Sequence, residues 1–463
     1  MLPKSVLDRF VEKCPAGVML RATLERLMRP ERLDQIFADT AERQYQKQLL
    51  FSQMVALMSA VATRTHASVH ASYLAVREEL GVSVAAVYDK LQCLEPGISE
   101  AMVREIAADA AVLIDIMPGA CKSIIPGLNL YYLDGNHFGA TEHRLATLRT
   151  TREGALPGQA LALLDAQREL VLELIPCEDA YAQERSLLPE LLLHIVAGMV
   201  IVADRSFCTT QFLFGLRNRG AYFIVRQHAS TLTWKLLGKR RRIGRVETGT
   251  VYEQEIVLED CRKGEVYDTM HARRVTVVLD NPTENGDTEI HVITNLTPVQ
   301  ADAKAIAFAY RTRWTIEGMF QNLTDVLRCE VETLGYPKAA VFSFAVAVLA
   351  WNVYAVVKAA LRAVHGEQVI DEKLSDYHLT QHVVSIQPGM EIVLEPEVWV
   401  PYQTMLPRQL SRELLRLAAL VDLKRYPKKR RGVKKPPPRK KSGKRNHHVS
   451  TARLIAKEKP KRP

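Results

Sequence analysis

The sequence has no C-x-x-C pair. Its seven cysteines (Cys14, Cys93, Cys121, Cys177, Cys208, Cys261 and Cys329) lie far apart. That excludes a disulfide framework and a thiolate zinc site, and it points to a reducing, cytoplasmic setting. The opening residues, Met1-Leu2-Pro3-Lys4, lack the apolar run of a secretory signal. Charge is missing from one long stretch, the 19 residues between Lys338 and Lys358. That length is at the low end for a bilayer span, and Ser343 and Asn352 interrupt it. It reads as a buried core helix, with no membrane partner. Acidic residues are nearly absent from the C-terminal end. From Lys424 to Pro463 there are 18 Lys and Arg against Glu458 alone, so this tail carries +17 of a net +10 and the preceding 423 residues carry −7. A Pro-rich segment of this charge cannot bury a core. It reads as a disordered tail and a non-specific polyanion clamp, which points to nucleic acid.

What remains is the composition of an ordinary globular chain, 47% hydrophobic and 25% charged, long enough at 463 residues for two or three domains with cores. Residues 1–120 are rich in Ala, Leu, Arg and Glu and predict a helical N-terminal domain. Within it, Gly81 to Lys90 offers a turn, a Ser83 N-cap and a short helix, the pattern of the second half of a helix-turn-helix. From Leu128 the texture changes to strands. Leu128 to Leu133 ends at Asp134-Gly135-Asn136-His137, and His137 is read as a loop histidine. Ala160 to Asp165 and Glu169 to Pro176 predict a hairpin, followed by a helix over about Gln183 to Ala197. The apolar strand Met199 to Ala203 runs straight into Asp204-Arg205, and a helix over Cys208 to Arg217 leads to a strand over Ala221 to Val225. Between about 227 and 300 the texture is β-rich, with a basic run Lys239-Arg240-Arg241-Arg242 and strands over Arg273 to Leu279 and Glu289 to Thr294.

A helix is then predicted from Tyr310 to Arg328. At about 100° per residue, Tyr310, Arg313, Glu317, Thr324 and Arg328 share one polar stripe. Ile316, Phe320, Leu323 and Leu327 form the core-facing edge beside it. On periodicity alone this is a helix with an Arg-Glu ion pair.

Tyr310, two residues, Arg313, three residues, Glu317 resembles the signature of the DDE transposases of bacterial insertion sequences, in the insertion sequence four family. The words Arg313-Trp314-x-Ile316-Glu317-x-x-Phe320 resemble it too. The signature continues with six further residues and then a Lys, where this sequence has Thr324. The resemblance covers roughly residues 126–366. It implies an α/β ribonuclease H-like catalytic core in two parts (126–226 and 301–366) around a β-rich insertion (227–300). A helical or irregular region (367–423) and the basic tail (424–463) follow.

It also implies three carboxylates, Asp134, Asp204 and Glu317, holding two Mg²⁺ or Mn²⁺ ions. Hard oxygen ligands suit those ions. Two such ions about 4 Å apart can activate an attacking oxygen and stabilise the leaving 3′ oxygen of a phosphoryl transfer. Tyr310, Arg313 and Arg205 would hold the phosphate backbone of the transposon end, with Arg328 compensating for Thr324 and Arg240 and Arg241 adding basic contacts. The implied partners are transposon ends and target DNA, bound by a dimer. Two alternatives stand beside this: a ribonuclease H-like nuclease that cuts without joining, and a non-catalytic DNA-binding protein derived from a transposase.

Overall fold

The computed structural model describes residues 5–44, 46–283, 286–428 and 447–458. Helices fill the chain from Ser5 to Ile116, ending in the long helix Pro96–Ile116. The strands then follow as β1 (Asn129–His137), β2 (Gly154–Leu156), β3 (Gln159–Asp165), β4 (Val171–Cys177), β5 (Met199–Ala203) and β6 (Tyr222–Arg226). Three long strands come next, β7 (Thr233–Val246), β8 (Gly249–Arg262) and β9 (Glu265–Leu279), and then β10 (Glu289–Thr294). Nine of them form one mixed sheet in the order β4-β3-β1-β5-β6-β10-β9-β8-β7, so the β-rich segment extends the sheet. Within it β1, β5 and β6 are parallel neighbours.

The fold is mixed α/β with two apolar layers. Side chains alternate along a strand. Leu130 and Tyr132 of β1 and Val200 and Val202 of β5 accordingly enter one core. Tyr131, Leu133, Ile201 and Ala203 enter the other, with Phe207, Phe212 and Leu213. The first core is built on the helix Pro337–His365, most of whose residues are buried. It is apolar enough to cross a bilayer, yet 94% of its most apolar window is buried within the protein. Several of its polar groups are used locally. Asn352 caps the outer strand β4 by accepting from the Val171 amide and donating to the Val171 carbonyl, each at 2.9 Å. Lys358 and Arg362 meet Glu169 at the β3–β4 turn. Apolar faces of the N-terminal helices and of the C-terminal helix Pro407–Ala418 join the same core.

Four expectations change. The helix expected over Tyr310 to Arg328 is two helices, Ala303–Arg311 and Trp314–Asp325. At the joint the Thr312 hydroxyl bonds back to the Ala309 carbonyl at 2.7 Å and the Thr315 hydroxyl to the Thr312 carbonyl at 2.8 Å. Such back-bonding loosens the helical ladder. The helix over Gln183 to Ala197 shrinks to a 3₁₀ turn, Glu184–Leu187, and one short helix, Leu188–Leu192, which starts where Pro189 fits a first turn. β1 does not stop at Asp134: its antiparallel partner β3 carries it on to His137, opposite Gln159, so His137 is a strand residue. The tail is not disordered where it is described. Pro427 bridges to Leu374. β11 (His448–Ser450) pairs in parallel with β2, and the helix Thr451–Glu458 follows. Arg453 and Ser450 both hold Asp179. Residues 429–446 and 459–463 of the tail lie outside the described residues.

Candidate active site

The site forms where one strand ends and its neighbour continues. Register pairs Leu133 of β1 with Ala203 of β5, the last residue of that strand. Asp134 and Asp204 are each one position further along. By alternation both sit in phase with the residues that enter the core of the helix Pro337–His365. Asp134 stays in the sheet because β3 still pairs with it, opposite Ala162, whereas Asp204 leads into the 3₁₀ turn Arg205–Phe207.

The helix Trp314–Asp325 covers this notch and touches β1. Ile316, Met319, Phe320 and Leu323 are buried beneath it, which leaves Glu317 on the flank above the aspartates. The joint before it is pinned by Tyr132 of β1, whose hydroxyl donates to Thr312 Oγ1 at 2.8 Å. Arg313 sits at that joint. One guanidinium nitrogen meets Asp134 Oδ2 at 2.8 Å and the other meets Glu317 Oε1 at 2.6 Å. The Tyr310 hydroxyl donates to Asp204 Oδ1 at 3.3 Å. Asp134, Asp204, Glu317, Tyr310 and Arg313 therefore form one contiguous group. Periodicity placed Tyr310, Arg313 and Glu317 on one stripe, and the broken joint keeps them together.

The electrostatics follow from burial. Desolvation pushes the Asp134 carboxyl up to about 6, against the pull of Arg313 and the Gly135 amide and with a push from Glu184 and Glu317. The Tyr310 phenol is pushed up to about 12, by burial first and by Asp204 second, so it is a hydrogen-bond donor at neutral pH.

Arg205 is exposed beside Asp204. The remaining basic residues are elsewhere. Arg328 has left the helix: its amide bonds the Ala62 carbonyl and its guanidinium the Ala67 carbonyl. It is not one turn further along the stripe. With Arg64, Thr324, Glu330 and Glu332 it lines a cleft of about 350 Å³. Arg240 and Arg241 lie on β7, the outer edge of the sheet, paired with Glu289 and Glu253. Neither enters the site.

Glu184 approaches β1 from the opposite face of the sheet, that of Leu133 and Leu161, and sequence reading gave no reason to single it out. A Cβ on residue 135 would fall on the Glu184 carboxylate, so Gly135 is what lets it approach the strand. The available signal was Gly135 itself, since a glycine inside a strand marks a close approach. The Asp-Gly pair reads first as a turn.

A second group, Glu100, Glu173 and His194, also brings possible metal ligands together. Arg104 occupies its centre, 3.1 Å from Glu100 and 3.3 Å from Glu173, with the His194 nitrogens at 2.9 and 3.0 Å. A guanidinium at that place supplies the positive charge a metal would bring. The group is an ion-pair joint between the helix Pro96–Ile116 and β4.

No curated protein matches the chain. Residues 133–353 match the family model described as the transposase DDE domain, so the part of the chain that carries Asp134, Asp204 and Glu317 is similar to DDE transposases.

Proposed function

We propose that this protein is a DNA transposase of the insertion sequence four type, which binds transposon ends, cuts them and joins them to target DNA. The observation that supports the reading is that Asp134 and Asp204 follow register-paired residues of adjacent parallel strands, with Arg313 bonded to both Asp134 and Glu317, inside the stretch similar to a transposase DDE domain. The parallel β1-β5-β6 unit with helices on the sheet supports a ribonuclease H-like core.

The residues fit a hard divalent cation. All the donors are carboxylate oxygens, and burial already penalises Asp134 for carrying its charge without a cation. When bound, two Mg²⁺ or Mn²⁺ ions would activate the attacking oxygen and stabilise the leaving one in an in-line phosphoryl transfer. Asp134 and Asp204 would hold them from the sheet and Glu317 from the helix. Arg313 fixes Asp134 and Glu317 together beforehand, and Tyr310 fixes Asp204. In this reading the planar guanidinium of Arg313, the Tyr310 hydroxyl and exposed Arg205 also meet the phosphate backbone. The N-terminal helices recognise the ends. Arg240, Arg241 and Arg328 contribute charge outside the site, and two copies act on the DNA in the cytoplasm.

The test is cleavage and strand transfer on DNA bearing the element's ends. Asp204→Asn removes a ligand charge and barely alters shape. It should abolish Mg²⁺-dependent cleavage and leave end binding intact. Loss of binding in that variant would assign Asp204 a structural role, and cleavage without joining would leave a nuclease.

A further inference from the structure

The cleft of about 350 Å³ holds two arginines, Arg64 and Arg328, that the carboxylate group does not use. Arg64 lies in the connection between the helices Phe51–Ala62 and Val69–Ala75, and Arg328 follows the helix Trp314–Asp325. They fasten these two segments reciprocally. Arg64 donates to the Val326 and Asp325 carbonyls at 3.0 and 3.3 Å. The Arg328 amide donates to the Ala62 carbonyl and its guanidinium to that of Ala67. A cation at a helix C-terminus is satisfied by the last carbonyls alone, so fastening needs less than is present. Arg64 is exposed and held at φ 59°, in the left-handed region that residues with a side chain disfavour. Among the described residues, its second terminal nitrogen bonds nothing, and neither do Nε and one terminal nitrogen of Arg328. Neither guanidinium meets a carboxylate among them. The acids that share the cleft stand apart, with the Glu330 carboxylate against Gly139 and Glu332 exposed. Two unpaired cations lining one cleft repel each other until an anion comes between them.

The place of the cleft suggests which anion. Thr324 on its wall lies two helical turns beyond Glu317, about 10 Å along the axis. Phe138 and Gly139, also on its wall, continue the chain of β1 past Asp134 and His137. A DNA strand seated at the carboxylates, rising ~3.4 Å per nucleotide, would reach the cleft about three nucleotides away. We propose that Arg64 and Arg328 together bind a backbone phosphate of that strand. Guanidinium forks suit phosphate oxygens, and Glu330 and Glu332 would keep the phosphate to the arginine side. The proposal rests on the transposition reading above and adds to it a phosphate site shared between two parts of the chain. One phosphate held by both arginines would tie the helical N-terminal region to the helix that bears Glu317 whenever DNA is bound.

The experiment is DNA binding by the full-length protein across a range of salt concentrations, on end DNA and on unrelated DNA of the same length. Three proteins are compared: wild type, the double variant Arg64→Gln/Arg328→Gln, and the double variant Arg64→Lys/Arg328→Lys. Both variants disturb the fastening of the two segments, and only the glutamine variant removes the charge. The glutamine variant should bind both DNAs more weakly, and its fall of log K with log salt should be shallower by about 0.9, the share of one phosphate. The lysine variant should keep the wild-type slope even if both variants melt lower by the same amount. A wild-type slope in the glutamine variant overturns the proposal and leaves the arginines a fastening. An equal flattening in both variants also overturns it, because the loss would then follow the fastening and not the charge. Wild type that binds DNA with the expected differences but neither cuts nor joins it would sink the transposition reading and leave the phosphate site standing. Wild type that binds no DNA would sink both.

Discussion

Arg313 reaches Asp134 with one nitrogen and Glu317 with another, so its loss strips two carboxylates of counter-charge at once. The guanidinium is nearly fully buried, at 7% side-chain exposure, whereas Glu317 is 37% exposed and can recover water. Arg313→Ala should therefore destabilise the metal-free protein by about 1–3 kcal/mol, below the usual penalty for breaking a wholly buried pair. Arg313→Lys should fall between the two, because an ammonium cannot span both carboxylates. Added Mg²⁺ should narrow the deficit of the alanine variant by replacing the missing charge. Denaturant midpoints in EDTA and in Mg²⁺ measure both effects, and an alanine variant as stable as wild type in EDTA would refute the clamp. At this scale the sequence was informative but incomplete. Tyr310, Arg313 and Glu317 stood out because helical spacing aligns them. Asp134 and Asp204 stood out because apolar strands run into them. Glu184 did not, because its approach depends on a loop passing over Gly135, and no local period encodes that.

Among the elements, strands were easier to read than helices. The short, fully apolar runs Met199 to Ala203 and Ala221 to Val225 read as buried strands by their length and their β-branched and aromatic residues, and β5 and β6 lie there, β6 one residue later. Helix ends were missed where side chains compete with the backbone. Thr312 and Thr315 break the predicted Tyr310–Arg328 helix, and its second part ends at Asp325, so Arg328 lies beyond it and away from the site. The joint between the helix Pro96–Ile116 and β4 was invisible, because Glu100, Arg104, Glu173 and His194 meet only after the sheet has formed. That joint should respond to pH. Burial, reinforced by Glu100 and Glu105 and opposed by Arg104, pushes the Glu173 carboxyl up to about 7 from 4.5. The raised value means the ionised form is disfavoured in the fold. Its penalty is absent below about pH 4.5 and fully present above about pH 7. Glu173→Gln removes that penalty. The stability of this variant relative to wild type should improve by on the order of 2 kcal/mol between about pH 5 and about pH 8. His194, whose charged form is also disfavoured by burial, titrates in both proteins and largely cancels. A difference that stays flat across this range would show that Glu173 is ionised at no cost.

For the whole molecule, charge is divided between a body of −7 and a tail of +17. The described ends of that tail are built into the fold. Lys428 bonds the carbonyl of Asp371, and His448 to Ser450 pair with β2 near Asp179. Truncation at residue 424 would therefore remove structure as well as charge. Residues 429–446 separate the two: they hold ten Lys and Arg and no acid. Replacing those ten by Gln and Ser keeps the length and both anchored ends. If the segment binds phosphates, each one it neutralises adds about 0.9 to the fall of log K with log salt. The substituted protein should then show a flatter salt dependence and weaker binding to every DNA, with its preference for transposon ends intact. Under the proposed function such a preference would belong to base contacts elsewhere, because phosphate contacts carry no sequence information. Binding titrations at several salt concentrations, on end DNA and on unrelated DNA, separate the outcomes. An unchanged slope would leave the segment a solubilising link between two anchored ends. A loss of end preference would make it part of the recognition surface.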